Sequence, residues 1–327
     1  SGEKYINIKF IKNISFYNDI KSLVHIFFIV YKIKPNLIFT ITPKISFILS
    51  IVKIFCSFNK IHFFTGQLWY NKKGIKRFLF KTVDLFIQNT SKICFVDSNT
   101  QSHFLIKNGF NTNKIKLIHN GSISGVDTSK YTSNRILKND FKKKYNIEND
   151  TSILLFLGRI TKDKGIYDLL LLYEKLLNDN LNIKLVLAGI DEEKIIKNLS
   201  LRDKKLFNSL IYLGHVDRPD KILPIADIFI LLSKREGFGL SIIEASSCSV
   251  PIIASNIVGI RDSVSNNKTG ILIDNFKNSN DYNKIKNLLN DPILKKELGD
   301  FGRLYVKKYF EKKDVIRYLF KEINNYL

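Results

Sequence analysis

Methionine is absent from this chain of 327 residues, tryptophan occurs once and cysteine three times. Each scarcity excludes something. Cys56, Cys94 and Cys248 stand far apart in apolar runs, which rules out a disulfide framework and a clustered metal site and implies reduced thiols. No run of about 18 uncharged apolar residues occurs. The nearest approaches, Leu23–Tyr31 and Ile45–Phe58, are stopped by Lys32 and broken by Lys53, and read as buried helices rather than membrane spans. The opening Ser1-Gly2-Glu3-Lys4 lacks the basic-then-apolar order of a secretory leader, so a cytoplasmic setting is expected. With no methionine at position 1, Ser1-Gly2 reads as a vector remnant or as the start of a fragment. Arginine is scarce as well, supplying nine of the 52 basic residues. That scarcity, and the lack of any recognisable module, argue against a nucleic-acid partner.

What is present is a globular composition with 45% hydrophobic residues and 25 phenylalanines, long enough for two domains. The net charge of +22 comes mostly from lysine, alongside many asparagines and isoleucines. That mixture is the mark of an AT-rich genome; it also suits an anionic membrane surface or phosphorylated substrates.

Short β-branched runs alternate with longer amphipathic segments, which predicts parallel α/β layers. Strands are expected at Asn36–Thr40, Lys60–Phe64, Ile93–Asp97 and Lys116–His119, with helices near Pro43–Phe58, Lys73–Thr90 and Thr100–Asn108. The second half is clearer. Strands are expected at Ser152–Gly158, Ile183–Ala188, Ile211–Leu213, Ile228–Leu232, Ile252–Ala254 and Ile271–Ile273. The helix Gly165–Asn178 carries Leu169, Leu170, Tyr173 and Leu176 at helical spacing. From Ser279 to Leu327 the pattern is helical throughout. Turn residues at Gly121–Asn134 mark a linker between two doubly wound units.

Two segments carry chemistry. The first, Gly158 to Gly165, follows a strand and opens a helix, and its Arg159 and Lys164 reach the mouth where open α/β sheets hold ligands. Two cations at a helix N-terminus suit a diphosphate without a metal. The segment also reads as an ordinary charged loop. It is not a P-loop, because the glycine spacing and the Lys-Ser/Thr pair are missing. The second segment runs from Lys234 to Ala245. Glycines Gly237 and Gly239 allow close approach of backbone to a ligand, and a helix starts near Leu240 with Ser241 in its first turn. Glu236 and Glu244 flank that turn, and eight positions apart they need not share a face. Carboxylates accept hydrogen bonds from sugar and ribose hydroxyls alike. Read plainly, they are a surface acid and a helix N-terminal acid.

The run Glu236-Gly237-Phe238-Gly239-Leu240-Ser241-Ile242-Ile243-Glu244-Ala245 resembles the E-x7-E signature of glycosyltransferase family 4, retaining enzymes of the GT-B fold. Pro251–Ser255, Val258–Asp262 and Asn267–Ile273 resemble the segments that follow it, Gly158–Gly165 resembles the family's phosphate loop, and Gly125-Val126-Asp127 its linker. The likeness is specific over residues 115–310 and weaker at Asp97-Ser98 and Phe64–Trp69. The resemblance implies two Rossmann-like domains facing a cleft: an acceptor-binding domain over 1–130, a nucleotide-sugar domain over 131–305, and a C-terminal helix over 306–327 that returns to the first domain. It implies that Arg159 and Lys164 neutralise the leaving diphosphate and that Glu236 contacts the donor sugar. Gly158, Gly237, Phe238, Gly239, Leu240 and Ser241 would line the donor, Glu244 would hold the ribose, and His215 would lie near the base. His215 reads equally as an idle loop histidine.

Two departures stand out. Many members carry His-Gly where this chain has Thr65-Gly66, so Thr65 or Gln67 takes over a donor-binding role. His62, within a strand, reads as a core histidine. The chain also begins later than the family pattern, as though a first strand and glycine-bearing loop were missing. No Asp-x-Asp motif stands in a suitable loop, so no obligatory metal or cofactor is expected beyond the donor, a UDP-sugar by family frequency. The implied function is retaining transfer of a hexosyl or N-acetylhexosaminyl group to a glycan or polyprenyl-linked acceptor in bacterial surface polysaccharide synthesis. Lys53, Lys60, Lys72, Lys73 and Lys76 suit peripheral contact with the inner face of the plasma membrane. The alternatives are a GT-B epimerase- or hydrolase-like enzyme and a non-catalytic sugar-nucleotide-binding protein.

Overall fold

The protein is described by a computed structural model over residues 15–326. The question of an opening strand falls on residues 1–14, outside that range. Two parallel sheets form, as the alternating pattern requires. The first holds β1 (Leu37–Thr40), β2 (Asn59–Phe64), β3 (Ile93–Val96) and β4 (Ile115–Leu117) in that order. The second holds β5 (Ser152–Leu157), β6 (Ile183–Ala188), β7 (Ile211–Gly214), β8 (Ile228–Leu231), β9 (Ile252–Ser255) and β10 (Gly270–Ile273). Its order is β10-β9-β8-β5-β6-β7. The chain moves outward from β5 to β7 and then jumps back to place β8 on the other side of β5. A crevice therefore opens beyond the carboxyl ends of β5 and β8, where the order reverses. Helices cover both faces of the second sheet, so β8 is apolar at every position and at most 1% exposed.

The linker and the tail cross between the halves together. The tail is not one helix but three, Ser279–Asn290, Pro292–Tyr309 and Lys312–Asn324. Asp291 caps the second with a hydrogen bond to the Leu294 N–H, so the first break is a helix start. At the second break, the Val126 N–H donates to the Phe310 carbonyl at 2.8 Å and the Lys312 N–H to the Val126 carbonyl at 2.9 Å. The last helix then lies under the first sheet, with fully buried Val315 among Ile61, Phe63 and Phe95.

Two expectations need correction. The run Leu23–Tyr31 belongs to a helix, Phe16–Ile33, that is not buried. Ile26 and Val30 pack inward, but Tyr17, Ile20, Val24, Phe28 and Tyr31 form an exposed stripe at helical spacing. A single layer of helix on a sheet has only one face to bury. The helix Pro43–Phe55 buries Ile48, Leu49 and Val52 and likewise exposes Ile54 and Phe55. Lys60 is also misread as a surface charge, since it lies in β2 with no exposed surface. Its Nζ donates to Ser50 Oγ and, at 2.8 Å, to Thr90 Oγ1. Burial, opposed by Cys94 and aided by Lys53 and Lys114, pushes its ammonium down to about 7.

The unfolded chain keeps Lys60 protonated up to its ordinary value of 10.5, so between pH 7 and that value the unfolded state binds the extra proton. Stability therefore climbs with pH across this window, and the cost of burying the charge is fully present below it. Lys60→Met is expected to raise the urea midpoint at pH 6, with the gain over wild type shrinking toward pH 9. A gain that does not change between pH 6 and pH 9 would show that the folded Lys60 keeps its proton across this window and that burial has not shifted its titration.

Candidate functional site

The crevice between β5 and β8 receives both motifs. After β5 the chain turns through Lys162–Lys164 and reaches Gly165, whose φ is 73°. A Cβ there would lie 1.9 Å from the Leu232 carbonyl oxygen, so only glycine lets this turn sit against the end of β8. That contact delivers Lys164. Its Nζ pairs with Glu236 Oε1, and Ser233 Oγ donates to the same oxygen at 2.8 Å. Both charged side chains are largely withdrawn from solvent, at 21% and 10% exposure. The two loops are knit further by the Lys234 N–H donating to the Asp163 carbonyl at 2.8 Å and by Arg235 pairing with Asp163 at 3.2 Å.

Gly158 ends the strand, and Arg159 lies at the rim, 53% exposed and 3.2 Å from Glu192. Gly239, with φ 86°, starts the helix Leu240–Ser247. Phe238 is buried, its ring edge-on to Phe310 at 5.1 Å, which leaves only its backbone for a ligand. Leu240 is exposed and Ser241 half-buried. Glu244 belongs to a different neighbourhood from Glu236. Burial pushes its carboxyl up, opposed by a hydrogen bond with Tyr131 and by the charge of Lys130. Asp220 completes that group, held by Arg218 at 2.8 Å and Lys130 at 3.7 Å. His215 stands on the surface, 62% exposed, with Nε2 3.0 Å from the Asp217 carboxylate.

Loops at the carboxyl ends of the first sheet's strands meet this site. Thr65 follows β2 and is exposed, and Gln67 is buried. A Cβ on Gly66 would lie 3.0 Å from the Gly237 nitrogen, so the two loops are in backbone contact. Asn71 Nδ2 donates to the Lys234 carbonyl across the same seam. His62 is a buried core residue, as its strand position suggested, with Nδ1 2.9 Å from Thr40 Oγ1. Burial pushes its imidazole down to about 3, so it is neutral.

A clasp that sequence reasoning missed lies beside these loops. Asp262 Oδ2 accepts from the Thr100 N–H at 3.0 Å and from its hydroxyl, and the Gly259 N–H donates to Thr100 Oγ1 at 2.9 Å. Asp262 thus satisfies an N-terminal N–H of the helix Asn99–Lys107 from the opposite half. Residues 162 positions apart leave no local signal of such a contact.

Two roomy cavities lie elsewhere. One of about 740 Å³ is lined by Asn134, Lys138 and Asp227 near the amino end of β8, and one of about 950 Å³ by Lys34, Asn36, Phe55 and Asn59 near the amino ends of β1 and β2. Parallel sheets hold ligands at the opposite ends of their strands. The converging cation, carboxylates and glycine turns therefore locate the site better than volume does.

The steric demand at Gly165 is directly testable. Gly165→Ala combines an unfavourable positive φ with a clash against backbone, and is expected to cost about 2 kcal/mol or more by urea denaturation. A loss near zero would mean that Leu232 yields and that the turn is not fixed by this contact.

A family model for glycosyl transferases group 1 matches residues 138–305. The chain is 27% identical over 321 residues to the capsular polysaccharide biosynthesis glycosyltransferase CapM of Staphylococcus aureus, covering 97% of this chain and 83% of CapM. It is 25% identical over 292 residues to an Escherichia coli UDP-Gal:alpha-D-GlcNAc-diphosphoundecaprenol alpha-1,3-galactosyltransferase, covering 86% of this chain and 74% of that protein. Among solved structures, HepE of Anabaena in complex with UDP and glucose aligns with a TM-score of 0.80 at 15% identity, over 93% of this chain and 81% of that one. Sucrose-phosphate synthase from Thermosynechococcus elongatus aligns with the same score at 20% identity, over 95% of this chain and 79% of that one. These likenesses identify the two-sheet architecture as GT-B, and the matched model covers just over half of the 327 residues: the chain belongs to the glycosyl transferases group 1 family.

Proposed function

We propose that this glycosyltransferase is a retaining enzyme of family 4. It moves a hexosyl or N-acetylhexosaminyl group from a UDP-sugar to a glycan or polyprenyl-linked acceptor in bacterial surface polysaccharide synthesis. The observation that carries the proposal is the meeting of Lys164 and Glu236 at the switch point of the second sheet, beside the Gly237–Gly239 turn. The UDP complex of HepE and the printed activity of the Escherichia coli relative favour UDP as the nucleotide. The acceptor domain is assigned to 1–130 and the donor domain to 131–305. The tail from 306 to 327 belongs to the donor side up to Phe310 and to the acceptor side after it.

In the free protein Glu236 serves as counter-charge to Lys164. A bound diphosphate takes over that cation, and Glu236 turns to the sugar hydroxyls. Arg159, at the rim, reaches the same phosphates from the end of β5. As the bond from C1 to the diphosphate oxygen breaks, the electron pair leaves with the diphosphate, where Lys164 and the N-terminus of the helix Leu240–Ser247 stabilise it. The acceptor hydroxyl approaches on the same face and gives its proton to the departing phosphate, so the configuration at C1 is retained. Fixed cations supply this stabilisation, so no obligatory metal is proposed. Glu244, in its separate cluster, is assigned to the ribose, and His215, at the end of β7, to the base.

Peripheral contact with the inner face of the plasma membrane is part of the proposal. The exposed stripe Tyr17, Ile20, Val24, Phe28 and Tyr31 supplies apolar surface, and exposed Lys21, Lys32 and Lys34 lie on the same helix or next to it. Exposed Lys76 accompanies Ile75, Phe78 and Leu79 on the helix Gly74–Thr90, with exposed Lys73 just before it. Among the described residues, no helix is long and apolar enough to cross a membrane.

Lys164→Ala is expected to lower the rate of sugar transfer about 100- to 1000-fold, and Glu236→Ala to abolish it with the fold intact. Product analysis with UDP-glucose, UDP-galactose and UDP-GlcNAc reads both effects. Full turnover in Glu236→Ala would sink the assignment, and release of free sugar alone in the presence of every acceptor tried would favour a hydrolase. For the membrane, replacing Lys73 and Lys76 by Gln is expected to weaken binding to vesicles rich in phosphatidylserine by about 1 kcal/mol per charge. Unchanged binding in sedimentation assays would count against a role for these lysines.

A further inference from the structure

Two polar side-chain atoms buried where the halves meet have no hydrogen-bond partner, Asp97 Oδ1 and Gln67 Nε2. Asp97 follows β3 and is only 5% exposed. Its other oxygen lies 2.8 Å from where a Cβ on Gly237 would sit, so the carboxyl presses against the glycine turn of the donor half. One residue organises both orphans. Gln101 Oε1 accepts from the Asp97 N–H at 3.0 Å, and Gln101 Nε2 donates to Gln67 Oε1 at 3.3 Å, which fixes which end of the Gln67 amide is left over. A bare acceptor and a bare donor therefore stand on one scaffold at the mouth of the site. Burying such groups without partners costs stability, so a pair of orphans side by side calls for a partner such as a bound ligand or water.

Resting on the nucleotide-sugar reading, we infer that Asp97 is a substrate-binding residue. Its carboxyl accepts a hydrogen bond from a sugar or acceptor hydroxyl, and Gln67 Nε2 donates to a neighbouring hydroxyl oxygen. A hydroxyl-rich ligand matches this pair because each hydroxyl both donates and accepts. The pair also occupies the side of the cleft where Thr65 and Gly66 replace the histidine-glycine of the resembled family. Burial, with the charge of Glu236 added to it, pushes the Asp97 carboxyl up to about 7. Holding it there unpaired is a cost in the free protein that ligand binding removes.

The test uses the full chain with Asp97→Asn and Asp97→Ala. Affinity for UDP, and for UDP-glucose, UDP-galactose and UDP-GlcNAc, is measured by calorimetry. Sugar release to water or to added glycerol gives the rate, and urea denaturation reads the fold. The expected result is UDP affinity within twofold of wild type, stability unchanged or raised, and activity reduced at least tenfold. A tenfold loss of the preferred UDP-sugar's affinity assigns the hydroxyl to the donor. Retained donor affinity with slower release assigns it to the acceptor. Donor affinity and rate both within threefold of wild type overturn the inference. So does a variant that loses urea stability along with activity, since that marks a structural carboxyl. A wild-type chain that binds UDP but none of the UDP-sugars overturns the nucleotide-sugar reading itself, and this inference with it. A wild-type chain that binds a UDP-sugar, with affinity and rate both unaffected in the variants, overturns this inference alone.

Discussion

Everything at the site depends on how closely two glycine-bearing loops approach. Gly66 from the first half and Gly237 from the second meet with backbone against backbone, at a spacing that leaves no room for a side chain. Gly259 repeats the constraint, since a Cβ there would lie 2.6 Å from the Gly237 carbonyl. Because the loops can touch, Lys164, Glu236, Asp97 and Gln67 converge on one narrow mouth. A bulkier turn would hold the sheets apart and part Asp97 and Gln67 from the Lys164–Glu236 pair.

Much of this was legible in the sequence, for physical reasons. Strands buried on both faces are apolar nearly throughout, so β8 and, after Ser152, β5 stand out as runs of Ile, Leu and Phe. Positive-φ turns favour glycine, and Gly165 and Gly239 mark where helices begin. The segments around Arg159, Lys164 and Glu236 lie after such strands and could be placed at the carboxyl ends before any coordinates. Lys164 and Glu236 were two separate motifs in the sequence, and only the β8-to-β5 adjacency makes them neighbours.

What escaped was long-range or depended on exposure. Lys60 and the surface lysines look alike in sequence, yet Lys60 is enclosed by Ser50 and Thr90 from two helices. The apolar pattern of Phe16–Ile33 resembles that of a buried helix because hydrophobicity reports a preference for burial and not the presence of a covering partner. Asp262 and Thr100 meet through the arrangement of two sheets, and Asp97 gains its character from the approach of Gly237. None of these contacts has a local signature.

The paired crossing at Val126 and Phe310–Lys312 has a mechanical consequence. The chain crosses between the halves twice, and the two crossings are hydrogen-bonded to each other at Val126. Two crossings tied to each other restrain one half from swivelling against the other more than a single crossing would. Cutting either crossing would leave a single tether, free to swivel.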